Sequence, residues 1–488
     1  MTHPESWLLP PAFAELGPPL CLPWRGAPSP RPHMLFWNEA LAAACGASLQ
    51  EADLGWLCGM ELPPHGAAWA TAYAGHQFGH FVPVLGDGRA LLLGDLRCGG
   101  ERHELQLKGS GPTPFSRGGD GRAALGPMLR EALIGEALHA LGIPTTRALA
   151  VLGTGATVLR EQGPLPGAVL ARVASSHVRV GSFEFLAARG DREGLARLCR
   201  WTLARHHPQG LAQPVPARAL LEHALASQAS LIADWLAVGF VHGVMNTDNM
   251  ALGGQSLDFG PCAFLDTYRA EQVFSSIDHR GRYAYARQPA VAQWNLARLA
   301  EALLPLLDPD PERALRWAQA TIEGFGEQFE RAWLERMGRK LGLARAGPED
   351  GVLITEFLDL LQRGGHDYTL AFRSLLRRID PATAWPDGLP DPTADASFAD
   401  WLGRWRARLA KEGCSDEARL DALRSANPLL IPRNHRVEQA LQAATEGDLG
   451  PFQRLLAAVR RPSELPAEPA LLLPPRKHER VLQTFCGT

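Results

Sequence analysis

The chain has 488 residues, is 46% hydrophobic and 21% charged, and carries a formal net charge of −3. That length suits two or three ordinary domains or one large bilobal enzyme, with enough apolar chain for a sizeable core. The near-neutral balance argues against a general basic field for nucleic acid or anionic membrane, and without a run of about 18 apolar residues no membrane span is expected.

Residues 1–69 are rich in Pro, Trp and short apolar clusters and read as an irregular N-terminal wrap with one helix near 36–46. The opening MTHPESWLLPP lacks a basic segment leading into an apolar stretch, so no signal peptide is expected and the default location is cytoplasmic. Residues 70–190 mix signals: strand-like runs at 89–96 and 102–108, a Gly-rich loop at 109–121, helical periodicity over 122–142, then strand-like runs at 146–153, 156–161 and 167–174. Residues 191–460 read as mainly helical, with the longest amphipathic stretch at 217–240 and short strands around a turn at 256–266. Residues 461–488 form a Pro-rich tail. A smaller strand-containing lobe followed by a large helical lobe predicts an α+β fold with the outline of a protein-kinase-like bilobal enzyme, the nucleotide site in the first lobe.

Eight cysteines are scattered without a CxxC pair, so neither a structural zinc site nor a disulfide scaffold is expected, and most read as small buried hydrophobes. His76 and His80 are spaced i, i+4 but have no further ligand to complete a metal set, and His206–His207 reads as a surface pair.

Transfer of a phosphoryl-type group needs a cradle for phosphates, a cation to neutralise them, oxygen ligands for a metal, and a base or positioner. Lysine is rare, occurring only at 108, 340, 411 and 477, which makes Lys108 at the end of an apolar strand informative. Glu131 and Glu136 follow on the next helix, 23 and 28 residues on; Glu131 is the preferred partner, and the bland alternative is two solvated helix charges. The stretch HGVMNTDNM, 242–250, has the outline of a kinase catalytic loop, with Asn249 seven residues after His242 and a DFG turn at 258–260. Asn249 and Asp258 therefore form a candidate pair for Mg²⁺ or Mn²⁺. Val244 stands where a kinase carries its aspartate, which damages an ordinary kinase reading. Asp248 offers the nearest carboxylate, as proton acceptor or water-mediated metal contact.

Gly86, Gly88 and Arg89 mark a tight turn before a strand, which could equally be a plain Asp-Gly hairpin. Asp120 and Gly121 precede a helix, where backbone N–H groups bind anions and where Asp120 could instead be an N-cap. Arg172 and Arg179 could grip a triphosphate, although arginines are abundant here. GxxxxGK[ST], GxGxxG and GxSxG are all missing, which disfavours a Walker-type NTPase, a Rossmann site and a serine-hydrolase elbow.

Several long blocks carry a resemblance: YAGHQFGHFVPVLGDGRALLLGD, LQLKGSGPTPFSRGGDGRA, HGVMNTDNM, LDFGPCAFLD, GRYAYARQPAVAQWNLARLAEALLPLL and NPLLIPRNHRVEQAL. From about residue 70 onward the chain resembles the selenoprotein O family. The resemblance implies a kinase-like fold that binds ATP in a flipped orientation and transfers AMP to Ser, Thr or Tyr hydroxyls of proteins, with UMP transfer also described for bacterial relatives. It implies nucleotide contacts at Gly86, Gly88, Arg89, Lys108, Asp120, Gly121, Arg172, Arg179 and Asp258, a proton acceptor at Asp248, and metal ligands at Asn249 and Asp258. With the nucleotide reversed, the α-phosphate is the electrophile and an aspartate at position 244 is not needed. The family's redox regulation further implies a reversible disulfide between Cys262, just after the DFG turn, and Cys486, third from the end.

The leading expectation is a metal-dependent protein adenylyltransferase with ATP as substrate, protein hydroxyls as acceptors and self-modification plausible, and with neither nucleic acid nor membrane as partner. The alternatives are UMP transfer from UTP with Mn²⁺, a catalytically silent nucleotide-binding redox scaffold, and a small-molecule kinase, the last disfavoured by Val244.

Overall fold

The computed structural model describes residues 7–161 and 163–485. An eight-stranded antiparallel sheet takes its strands from residues 21–174. These are β1 (Cys21–Pro23), β2 (His33–Trp37), β3 (Trp69–Thr71), β6 (Ala90–Cys98), β7 (Glu101–Lys108), β8 (Ala123–Ala124), β9 (Arg147–Arg160) and β10 (Gly163–Ala174). The order across the sheet is β1-β3-β6-β7-β10-β9-β2, with β8 beside β10. A separate hairpin, β4 (Gly75–Gln77) with β5 (His80–Val82), stands off it. β6 and β7 are joined by Gly99 and Gly100, both at positive φ, the backbone a tight hairpin turn requires.

The strands expected at 89–96 and 102–108 correspond to β6 and β7. The runs at 146–153 and 156–161 are not two strands but one long one, β9, in which Gly155 at φ 72° absorbs the bend. The first 69 residues are less irregular than expected. They supply β1, β2, α1 (Glu39–Ala44) and α2 (Asp53–Leu57), the strands docking on opposite edges of the sheet. Short edge strands flanked by proline carry little local pattern, because tertiary pairing forms them.

Helix α3 (Leu125–Ala140) crosses the sheet and is buried on nearly every side. An all-round apolar helix needs cover on both faces. The sheet gives one; the late helices α14 (Asn434–Thr445) and α15 (Gly450–Val459) give the other, sharing a core with Leu129, Leu133, Val437 and Leu455. Between them run α4 (Val180–Ala187), α5 (Arg192–His206), α6 (Pro216–Val238), α7 (Gln288–Leu307) and six further helices to Ala426. Gly239, left-handed, ends α6. The chain then forms β11 (Phe240–Val241), which pairs with β12 (Ala263–Phe264). Of the strands expected over 256–266, only the two-residue β12 is present, because the backbone at Asp258 turns through a positive φ of 65°. The architecture is thus mixed α/β, an antiparallel sheet followed by a helical region. Among the described residues no helix is long and apolar enough to cross a membrane.

Cys45, at the end of α1, forms a disulfide with Cys98 at the end of β6. Both read in sequence as small hydrophobes; residues 53 apart give no sign of meeting until the fold brings them together.

Candidate active site

The residues singled out from the sequence converge. Gly86, Gly88, Arg89, Lys108, Asp120, Gly121, Arg172, Arg179, Asp248, Asn249 and Asp258 all line one cleft of about 760 Å³ between the sheet and the helical region. Glu131 lies behind Lys108, buried.

Alternation along β7 sends Glu104, Gln106 and Lys108 to one face. Lys108, the last residue of the strand, bonds the Glu131 carboxylate and reaches Asp258 Oδ1 at 2.7 Å. Arg172 Nη1 meets the same oxygen at 2.6 Å, and Arg179 Nη1 donates to Asp258 Oδ2 at 2.8 Å. Burial pushes the Asp258 carboxyl up, but Arg172, Lys108 and Arg179 together hold it well below the usual carboxylate range. Its positive φ is uncommon for a residue with a side chain and costs on the order of 1–3 kcal/mol, held by this ring of cations.

Of the two glutamates on α3, Glu131 is the one bonded to Lys108. Glu136 faces away, taking Arg147 at 2.8 and 3.0 Å and Arg460 at 3.0 Å. Five helical residues rotate a side chain by about 140°, so both cannot face the cleft.

Residues 242–250 form a loop ending in a single turn of 3-10 helix at Thr247–Asn249. His242 is buried and burial lowers its pKa, leaving a neutral ring whose Nε2–H donates to the Leu257 carbonyl at 2.8 Å. Asn249 donates to the Val244 carbonyl at 3.0 Å, which commits its amide nitrogen and leaves its carbonyl oxygen as the ligand-capable atom. Arg179 Nη1 also donates to the backbone carbonyl of Asp248 at 2.5 Å, tying the loop to the Asp258 turn. Asp248 is buried; its Oδ2 accepts from Gln77 at 3.4 Å and its Oδ1 has no partner. Burial pushes its pKa up to about 6 against the pull of Arg179.

The glycine loop 109–121 is stitched by Gly111 N–H donating to the Gly121 carbonyl at 3.0 Å and by Thr113 Oγ1 donating to the Asp87 carbonyl at 2.7 Å. Gly86 and Gly121 both have φ near 64°, and a Cβ at Gly121 would stand 2.2 Å from the Gly111 carbonyl. Asp120 is not a helix cap: α3 begins after Ala124 with no side-chain cap. Asp120 instead pairs with Arg160 at 2.9 Å and takes Arg122 N–H at 3.0 Å.

Oxygen donors suited to a hard divalent cation are present at Asn249 and Asp258, with the unpartnered Asp248 Oδ1 beside them. Among the described residues no group of three His, Cys, Asp or Glu side chains gathers as a metal cluster. His76 bonds Glu184 at 2.5 Å, and Thr247, which donates to the other Glu184 oxygen at 2.5 Å, accepts from His76 N–H at 2.7 Å. The pair thus fastens the β4–β5 hairpin to the loop. His206 and His207 are both half-buried rather than a free surface pair: His206 Nε2 is 2.8 Å from Ser176 Oγ, and His207 stacks on His223. Cys262 is buried just behind the Asp258 turn, and Thr484 Oγ1 donates to the neighbouring Pro261 carbonyl at 2.6 Å. Cys486 lies outside the described residues, and with it the expected Cys262–Cys486 disulfide.

Several participants are not apparent from the sequence. Gln106 accepts from Arg172, Asp87 accepts from Gln106, Tyr73 lies under the Arg179 guanidinium at 4.6 Å, and Arg160 lines the cleft. Only Gln106 leaves a signal, a polar residue inside the apolar run HELQLK.

Comparison with known proteins accords with this geometry. The family model described as protein adenylyltransferase SelO matches residues 9–460. A Rhizobium etli protein named protein nucleotidyltransferase YdiU is 50% identical over 485 residues, covering 98% of this chain and 96% of its own length. Proteins of the same name from Methylorubrum extorquens and Rhodopseudomonas palustris are each 50% identical, covering 94% and 95% of this chain and 94% and 96% of their own. The chain belongs to the SelO family.

Proposed function

We propose that this protein is a nucleotidyltransferase that moves AMP from ATP to Ser, Thr or Tyr hydroxyls of proteins, working in a kinase-like bilobal frame with the nucleotide reversed. The observation that carries the reading is that one cleft holds three buried cations, Lys108, Arg172 and Arg179, and a separate buried carboxylate, Asp248, whose Oδ1 has no partner. The position a kinase uses for its base holds Val244, which accepts no proton.

The cations suit a chain of phosphates: anionic oxygens arriving in the cleft compete with Asp258 for Lys108 and Arg172 and relieve a crowded carboxylate. Asn249 and Asp258 would hold Mg²⁺ or Mn²⁺, which supplies charge neutralisation on the phosphates. Asp248 takes the proton of the acceptor hydroxyl as that oxygen bonds to the α-phosphorus. The bond from the α-phosphorus to the bridging oxygen breaks, and pyrophosphate leaves with its electrons. Gly86, Gly88, Gly121 and Arg89 border the space available to the nucleotide, and Asp120 with Arg160 closes one rim.

A second reading has one specific support. Lys108, Arg172 and Arg179 all bond the Asp258 carboxylate, an arrangement that a silent nucleotide-binding scaffold would also hold. UTP is the second donor to test, since the relatives' name leaves the nucleotide open. The deciding experiment supplies ATP labelled separately at the α- and γ-positions, and α-labelled UTP, with Mg²⁺ or Mn²⁺, to wild type and Asp258→Ala. Label on protein from the α-position only, lost in the variant, supports nucleotidyl transfer. Label from the γ-position restores a kinase; binding without any label supports the scaffold.

A further inference from the structure

Arg172 presents only one edge to the cleft, and the sheet decides which. On β10 it stands directly opposite Gln106 of β7, so the two side chains leave the same face side by side. Gln106 is fully buried, and its single Oε1 accepts both Nε at 3.0 Å and Nη2 at 2.7 Å of Arg172. That fork commits one side of a planar guanidinium and leaves Nη1 for Asp258. The amide is itself fixed. Its Nε2 donates to Asp87 Oδ2 at 3.0 Å, and that oxygen is held by the Thr71 N–H at 3.1 Å and the Thr71 hydroxyl at 2.6 Å. The reverse amide orientation would set two donors against the guanidinium and the carbonyl against a carboxylate, so the network allows one orientation.

We propose that Gln106 is a positioning residue for Arg172, orienting the guanidinium toward the phosphate-bearing cleft without neutralising it. A carboxylate at 106 would aim the same edge but cancel the charge that makes Arg172 useful. A neutral amide aims it and leaves the full positive charge for Asp258 and for nucleotide. Asp87, which itself borders the cleft, anchors the amide through Oδ2, an oxygen already held by Thr71. The proposal rests on the nucleotidyl-transfer reading only for its kinetic readout.

The test is a double-mutant cycle with Gln106→Leu, Arg172→Ala and the double variant. It is read as kcat/KM for α-label transfer and, separately, as the Kd for ATP by titration calorimetry. Gln106→Leu is expected to lose about tenfold and Arg172→Ala about a hundredfold, with the double variant within about twofold of Arg172→Ala, because residues acting through one another are not additive. A residue that only supports the sheet would give losses that multiply. Multiplying losses, or a Gln106→Leu protein at wild-type level, overturn the proposal. Should Gln106→Leu not fold, Gln106→Met, unbranched and closer in shape, takes its place. Absence of α-label from wild type would sink the transfer reading and still leave the cycle legible in the ATP Kd.

Discussion

Lys108 and Asp258, 150 residues apart in sequence, meet at 2.7 Å across the cleft, and the same ammonium also bonds Glu131. One cation therefore joins the sheet, helix α3 and the turn after the 242–250 loop. A shift of α3 is felt at Asp258 through that ammonium and through Arg172 Nη1, which lies 3.6 Å from Glu131 Oε2 and 2.6 Å from Asp258 Oδ1.

This linkage separates the two glutamates of α3 by experiment. Glu131→Gln removes the charge that balances Lys108 and should lower kcat/KM for transfer by about ten- to a hundredfold, with little change in fold. Glu136→Gln leaves the cleft untouched but weakens the bracket to Arg147 and Arg460. It should cost about 2–3 kcal/mol, read as a lower Tm, with kcat/KM within about threefold of wild type. Equal effects of the two variants on activity would show that α3 does not act through Lys108.

Asp248→Asn keeps size and the Gln77 contact but cannot take a proton. Transfer should fall by about 10²- to 10⁴-fold while the ATP Kd stays within a fewfold. Were Asp248 instead a metal contact, raising Mn²⁺ would restore much of the activity; a loss that no metal concentration repairs supports the base.

The glycine loop makes a steric prediction with an internal control. Gly121 has φ 64° and its Cβ would strike the Gly111 backbone, whereas Gly118, at φ 84°, has nothing within 4 Å. Gly118→Ala should carry only the conformational penalty of about 1 kcal/mol. Gly121→Ala must displace the loop and should weaken ATP binding about tenfold or more, measured by titration of both variants. Similar affinities would mean that the loop does not shape the nucleotide site.

Much of the cleft is legible in the sequence because its residues sit in fixed spacings: Asn249 after His242, the DFG turn, a lone lysine at a strand end. Those positions are set by local backbone, so the chain carries them in order. The supports are hidden, because they depend on which strands become neighbours. Gln106 gains meaning only once β10 lies beside β7, Asp87 only once its turn packs under β7, and Glu184 only once α4 meets the hairpin at His76. The Cys45–Cys98 disulfide and the edge strands β1 and β2 are hidden for the same reason. Asp120 resembles a cap in sequence, yet the helix starts three residues later than its periodicity, because Ala123 and Ala124 are drawn into a strand.

Lys340 offers a prediction independent of the cleft. It is 2% exposed at the end of α9 (Phe325–Lys340), with its ammonium 3.5 Å from the Ala426 carbonyl and 4.3 Å from the Phe372 ring centre. Among the described residues no carboxylate pairs with it. Burial pushes its pKa down to about 7, while the rings of Phe372 and Tyr368 favour the charged form and pull the other way. The folded pKa therefore lies below that of the unfolded chain. Between about 7 and 10.5 the unfolded state binds more protons, so this group's contribution to stability rises with pH across that window and is flat below it. Lys340→Met, which removes the buried charge and keeps the stem, should be more stable than wild type at pH 7 by on the order of 2 kcal/mol. The advantage should shrink steadily toward pH 10. Paired melting curves across that range check it, and parallel Tm–pH profiles for the two proteins would show that Lys340 titrates normally.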